Sequence, residues 1–393
     1  MTTLIELDSR LRRLADDLNH GLIEHIAAAG KLTTVTWRAA FEAVPRHLFA
    51  PRFTLPQNLG SLALDATDVA QREQWLRAVY HNEALLTDFD EHNLPTTSCS
   101  APSVVATMLE SSQASEEDTV LEIGTGTGWT AGLLAHRLGS DAVTSVDISA
   151  QCVADARERL DHLGLAPTLA VTDGYFGYPA RAPYDRIIAT ASLRKVPPAW
   201  LDQTRPGGTI LTDLRGDFAG NLALFTMNAD KSAHGRFLPE TVRFMPLRST
   251  EQPFQQLPEL SARAVSEPGE HQTTSLDPAA LRERPFAFLA QLALPGTEAG
   301  QVIVKDGQTR GPTYFCLTDP RSQAWARVET DTTADRQVTQ GGNRRLWDEL
   351  EAAHDLWKGL GQPGPDAFTI TITPDGDQIV DLPDADRSWS LPL

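Results

Sequence analysis

The chain has 393 residues, 41% of them hydrophobic and 22% charged, which is enough to bury a large core in two or three domains. Its formal net charge of −18 gives an average field that repels phosphate backbones and anionic membranes, which argues against a nucleic-acid or membrane partner. No apolar run is long enough to span a bilayer and Met1 to Arg10 is acidic and polar, so a cytoplasmic protein is expected. Cys99, Cys152 and Cys316 lie far apart, and His20, His25, His47 and His81 show no paired-ligand spacing, so neither a disulfide framework nor a metal site is expected.

In chain order, Leu11, Leu14, Leu18, Leu22, Ile23 and Ile26 recur at helical steps and predict a helix over Ser9 to Ala29, stopped by Gly30. A second helix is expected between Thr36 and Pro45, and a third over Gln71 to Val79, so that residues 1–79 read as a helical cap. From residue 80 to 248, strand-like runs (Thr119 to Ile123, Ala142 to Val146, Pro167 to Thr172, Asp185 to Thr190, Gly208 to Asp213) alternate with helix-like ones (Thr130 to Leu138, Ala150 to Leu163, Pro198 to Gln203). Such alternation predicts an α/β, doubly wound, Rossmann-like parallel sheet. A Gln-, Pro-, Ser- and Glu-rich stretch, 249–283, reads as a linker. A smaller α+β domain is expected over 284–393, with strands at Thr313 to Leu317, Ala324 to Glu329 and Phe368 to Thr373 and a helix from Asn343 to Trp357.

The strongest motif is Glu122-Ile123-Gly124-Thr125-Gly126-Thr127-Gly128-Trp129, a strand running into a glycine turn and then a helix. Glycines let such a turn approach a ligand closely, and two cofactor classes use one. Glu122 selects between them: a carboxylate beside the turn repels a pyrophosphate but attracts the ammonium and sulfonium end of S-adenosylmethionine. Asp147 ends the next strand, where an acid accepts from ribose hydroxyls, and Asp173 ends the one after, where it can accept from an adenine amino group. With their neighbours Ile148 and Gly174 they complete the expected cofactor crevice.

Ala43-Val44-Pro45-Arg46-His47-Leu48-Phe49, Ser98-Cys99-Ser100-Ala101-Pro102, the glycine loop, Ala182-Pro183-Tyr184-Asp185-Arg186-Ile187-Ile188, Arg205-Pro206-Gly207-Gly208 and Val242-Arg243-Phe244-Met245-Pro246-Leu247 occur in order, and together they resemble the protein-L-isoaspartate O-methyltransferase family. The resemblance runs from about Leu11 to Arg248, with an insertion between Phe53 and Tyr80. It implies a class I methyltransferase fold, a catalytic serine at Ser100, and cofactor contacts at Thr97, Ser98 and Cys99. Two segments depart from the family pattern: Ser98-Cys99 stands in place of Thr-Ile, and Leu211-Thr212-Asp213-Leu214 in place of a Pro-Val-Gly-like end. Through Arg345-Leu346-Trp347-Asp348-Glu349-Leu350-Glu351 and Phe368-Thr369-Ile370-Thr371-Ile372-Thr373-Pro374-Asp375-Gly376, the C-terminal extension resembles that of bacterial methyltransferases acting on ribosomally made modified peptides (graspetides, lanthipeptides, lasso peptides). That implies a peptide partner, macrocyclic or leader-bearing, whose aspartate is esterified and then closes to aspartimide or opens to isoaspartate. Repair of isoaspartate in damaged proteins is the alternative, and a non-catalytic peptide-binding module is the third.

An aspartate carboxylate, with a pKa of about 3.9, needs no base to act as nucleophile. A pocket for it must be locally neutral or basic, and Arg46, His47 and Arg52 are the candidates. Each has a plainer reading. Arg46 and His47 follow Pro45 at a helix end, Ser100 stands where an N-cap would precede Pro102, and Trp129, Trp347 and Trp357 fit a core.

Overall fold

The computed structural model describes residues 5–57, 60–240, 242–249, 258–306, 309–331 and 336–391. The chain forms two compact units. One comprises Met1–Ala191, Pro197–Thr212 and Phe244–Gln252, and the other Ser192–Val196, Asp213–Arg243 and Pro253–Leu393. These cut across the expected four-part division, because sheet hydrogen bonding groups residues that composition separates.

The first unit opens with α1 (Ser9–Ala28), whose N-cap Asp8 accepts from the amides of Arg10 and Leu11, and α2 (Val35–Ala43). Then follow β1 (Arg52–Gln57), β2 (Gly60–Asp65), α3 (Arg72–Val79), β3 (Leu85–Phe89), β4 (Pro95–Cys99) and α4 (Pro102–Ser112). The strands form an antiparallel sheet of order β2-β1-β3-β4, so the N-terminal region is not the purely helical cap expected. Strand β1 carries Pro56 and turns straight back into β2, which breaks the alternation that would have announced it.

The parallel part of this unit contains β5 (Val120–Ile123), α5 (Trp129–Leu138), β6 (Val143–Asp147), α6 (Ala150–His162), β7 (Thr168–Val171), β8 (Tyr184–Leu193), α7 (Pro198–Gln203) and β9 (Thr204–Arg215). Their order is β7-β6-β5-β8-β9, with β5, β6, β7 and β8 parallel. This is the doubly wound sheet expected from the alternation, and its strands are apolar because helices cover both faces.

The second unit holds β10 (Gly220–Met227), β11 (Ala233–Phe237), α8 (Pro258–Ser266), β12 (Glu270–Thr274), α9 (Arg284–Ala293), β13 (Glu298–Asp306), β14 (Thr309–Asp319), β15 (Ala324–Glu329), β16 (Arg336–Gly341), α10 (Leu346–Gly359), β17 (Thr369–Ile372), β18 (Gln378–Leu382) and β19 (Arg387–Ser390). One antiparallel sheet has the order β12-β16-β15-β14-β13, and β10, β11, β17, β18 and β19 pair antiparallel, each with the next. Helix α8 and strand β12 fall within the expected linker, which is therefore partly regular structure. Trp347 and Trp357 are buried on α10; Phe288 packs edge to face on Phe237 and on Phe368, and Phe286 packs at a tilt on Trp357. Among the described residues no helix is long and apolar enough to cross a membrane.

Candidate active site

Strand β5 delivers Glu122 beneath the glycine turn. Gly124, Gly126 and Gly128 have φ of 100°, 52° and 89°, a left-handed path that side chains with a Cβ resist. A Cβ on Gly124 would stand 2.8 Å from Thr190 Oγ1, and one on Gly128 only 2.7 Å from Ala156 Cβ on α6. Gly128 therefore serves helix packing. Gly126 has more room, its hypothetical Cβ meeting nothing nearer than the Ser98 carbonyl oxygen at 3.6 Å, so it is the loop residue that can admit a ligand.

Glu122 is fully buried, opposite Ser145 on β6, whose hydroxyl donates to Glu122 Oε2 at 2.5 Å. Thr125 Oγ1 joins Ser145 Oγ at 2.7 Å, so the Thr125 hydroxyl is engaged beneath the loop and its backbone is what the turn presents. Glu122 Oε1 has no partner. Burial, reinforced by nearby Asp147 and opposed by the Ser145 bond, pushes the Glu122 carboxyl up to about 8. A buried acid oxygen without a donor is where a cationic ligand end lowers the energy most, which fits S-adenosylmethionine. Glu122 lies beneath the loop, and at 0% exposure it lines no open surface.

Asp147 ends β6 half-buried, with Oδ2 accepting from Gly126 N at 2.8 Å and Oδ1 from Ser149 N at 2.9 Å, and half-buried Ile148 follows it. These bonds fix the carboxylate and leave further lone pairs for ribose hydroxyls. Asp173 accepts from Tyr175 N at 2.9 Å and from Ser249 Oγ at 2.8 Å, a partner the sequence did not announce. Gly174 is there for contact: a Cβ would meet Ile123 Cγ2 at 2.6 Å, and its carbonyl accepts from Trp200 Nε1.

Strand β4 brings Thr97, Ser98 and Cys99 past the loop and ends at half-buried Ser100. The N-cap of α4 is Ala101, with no side-chain cap bond, so the capping reading of Ser100 is corrected. Thr97 and Cys99 are buried, and Thr97 Oγ1 lies 3.5 Å from Cys152 Sγ. Trp129 is core: its indole donates to the Val44 carbonyl at 3.0 Å and its ring packs on Phe41.

The three candidates for basic charge fare differently. Arg46 is fully buried and bonded to five backbone carbonyls, so it cannot touch a substrate. His47 Nδ1 lies 2.6 Å from Tyr80 Oη, and burial pushes its pKa down to about 4, so it is neutral at physiological pH. Arg52 is exposed, 3.9 Å from Asp65, on the wall of a cavity of about 500 Å³. That cavity also touches Thr97, Gly126, Thr127, Asp88, Cys152 and Arg159. Arg159, which sequence reading missed, donates to the Thr127 carbonyl at 2.9 Å and lies 3.7 Å from Asp155. Its signal was a cation on the apolar stripe of α6, in step with Cys152 and Ala156.

The family model described as "Protein-L-isoaspartate(D-aspartate) O-methyltransferase (PCMT)" matches residues 17–252. The chain belongs to this family. A protein-L-isoaspartate O-methyltransferase of Xanthobacter autotrophicus is 39% identical over 163 residues, covering 40% of this chain and 73% of that protein. One from Nitrosospira multiformis is 29% identical over 235 residues, 58% of this chain and 95% of the relative. The match to the Azorhizobium caulinodans protein, 46% identical over 116 residues, spans 29% of this chain and about half of that relative, 52%. A solved structure titled protein-L-isoaspartate O-methyltransferase superposes with a TM-score of 0.53 at 19% identity, over 92% of this chain and 99% of that one, a likeness of fold. As a member of the family the chain is an S-adenosylmethionine-dependent carboxyl O-methyltransferase with the class I fold. The likeness of fold also reaches past residue 252, since it covers 92% of the chain.

Proposed function

We propose that this family member esterifies an aspartate-type carboxylate of a ribosomally made, modified peptide in the cytoplasm, with Ser100 holding the carboxylate. The supporting observation is the corner at the end of β4: Ser98 faces the permissive Gly126, and Ser100 follows on a backbone clamped by Arg46. Bound S-adenosylmethionine supplies a sulfonium methyl for displacement. The chain's own residues have mainly to position: holding two reactants in line contributes on the order of 7 to 11 kcal/mol. Ser100 Oγ–H donates to one carboxylate oxygen and leaves the other to attack, and an ionised acid needs no base. Asp147, Ile148, Asp173 and Gly126 are the residues we assign to the cofactor's nucleoside and amino-acid ends, and Glu122 acts on its cationic end from below.

One feature favours a dedicated peptide: the chain departs from the family's pattern at Ser98-Cys99 and at Leu211-Thr212-Asp213-Leu214, where Asp213 is buried and accepts from Arg215 Nε at 3.1 Å. A second reading, repair of isoaspartyl residues in damaged proteins, is favoured by the names of the curated relatives.

Incubation with S-adenosylmethionine of two probes, a short isoaspartyl peptide and a constrained aspartate-bearing pathway peptide, separates these by mass spectrometry. The expected result is a methyl gain on the constrained peptide, then methanol loss as the following backbone nitrogen attacks the ester carbonyl and expels methoxide. Methylation of the isoaspartyl probe alone establishes repair. Cofactor binding by calorimetry without methylation of either probe establishes a binding module.

A further inference from the structure

We propose that Arg46 is a positioning residue that gives the Ser100 corner its preference for an anionic group, acting as a buried cation without a counter-ion. This rests on the reading that the methyl-accepting carboxylate docks at Ser100. Nη1 of Arg46 donates to the carbonyls of Val79 at 2.6 Å and His81 at 3.0 Å, and Nη2 to those of Glu83 at 2.7 Å, Cys99 at 3.0 Å and Ser100 at 2.9 Å. Among the described residues no carboxylate pairs with it, and the Trp129 ring lies 5.5 Å from the guanidinium carbon. Carbonyl oxygens satisfy the Nη donors but carry only partial charge, and Nε has no partner, so a unit positive charge stays uncancelled 2.9 Å from the Ser100 carbonyl oxygen.

The field of such a charge is little screened in buried surroundings. The rest of the protein, at −18, opposes an acidic peptide, so a local source of positive potential is needed. The cations on the neighbouring cavity do not supply it, since Arg52 faces Asp65 and Arg159 faces Asp155. Only a planar fork reaches five carbonyls at once, and these belong to the end of α3, the approach to β3 and the β4–α4 corner. The same side chain therefore sets both the charge and the backbone path of the corner.

The test uses the full chain with S-adenosylhomocysteine bound. The probes are a short isoaspartyl peptide and a constrained aspartate-bearing peptide, each with a counterpart in which an amide replaces the carboxylate. Calorimetry should show wild type preferring acid over amide in at least one pair by about tenfold, the size expected of one nearby buried charge. Arg46→Gln, compared at saturating S-adenosylhomocysteine so that any change in cofactor affinity does not enter, should erase that preference. Arg46→Lys should keep the preference but lower kcat, because the charge remains and the fork does not.

Persistence of the preference in Arg46→Gln overturns the proposal. Should that variant not fold, Arg46→Lys decides: a folded Lys variant without acid preference overturns it, and one that retains the preference with lowered kcat supports it. A wild type indifferent to acid and amide in both pairs overturns the Ser100 reading along with it. Acid preference that vanishes in Ser100→Ala but survives in Arg46→Gln sinks the Arg46 role alone.

Discussion

Glu122 joins a feature read from sequence to an electrostatic consequence visible only in three dimensions. In the free protein burial pushes its carboxyl up to about 8, whereas a cationic ligand end favours the ionised form. Cofactor binding should therefore expel a proton, and affinity should rise from pH 6 to pH 9. Calorimetry in buffers of different ionisation enthalpy reads this directly, and a flat profile or proton uptake would contradict it. Glu122→Gln should bind more weakly and without the pH dependence. The same shift has a sign for stability: the folded carboxyl lies above its ordinary 4.5, so its contribution is fully present below that value and is lost as pH rises through about 8. The glycines divide in a similar way. Gly128→Ala combines a left-handed φ with a contact 2.7 Å from Ala156, and should lower stability by roughly 2 kcal/mol or more in denaturant titration.

Among the elements, the amphipathic helices and the regularly alternating apolar runs were legible. Helices α1, α6 and α10 follow the period of one buried face, whereas α5 and the parallel strands β5 to β8, buried more completely, were read from apolar runs alternating along the chain around the glycine turn, with ends within a few residues of expectation. Three kinds of element were not. Strand β12, Glu-His-Gln-Thr-Thr, is the edge of its sheet and buries only Thr274, so no apolar alternation marks it. Helix α9 is buried almost all round, from Phe286 to Leu292, and a continuous apolar run has no period to read. The β1–β2 hairpin is hidden by Pro56. Helix α10 also anchors the second unit through Trp347, fully buried, with its indole donating to Thr274 Oγ1 at 2.9 Å. Trp347→Ala should cost about 3–5 kcal/mol, seen as an earlier denaturation midpoint for the transition reported by near-ultraviolet circular dichroism; an unchanged midpoint would show that α10 does not anchor this unit.

For the whole molecule, a charge of −18 means that an acidic peptide approaches against the average field. Added salt screens that repulsion, so KM for an acidic peptide should fall as ionic strength rises from about 0.01 M to 0.15 M, while a neutral peptide shows little change. Rising KM for the acidic probe would mean that local positive potential dominates even at long range. The cofactor class and the doubly wound sheet were determined by the sequence itself, because a strand, a glycine turn and acids at successive strand ends are local patterns whose spacing is set along the chain, and the family was legible in the resemblance of segments such as Ala43 to Phe49 and Ser98 to Pro102. Tertiary structure alone decided how those residues are placed: the Thr125 hydroxyl bonds Ser145, Gly128 packs on Ala156, Trp129 packs in the core, Glu122 lies buried beneath the loop, and His47 is neutralised by burial. It also decided that Arg46 is held by carbonyls 33 to 54 residues away. Charge, burial and hydrogen-bond partners at those positions are made by segments distant in sequence, and no local pattern encodes them.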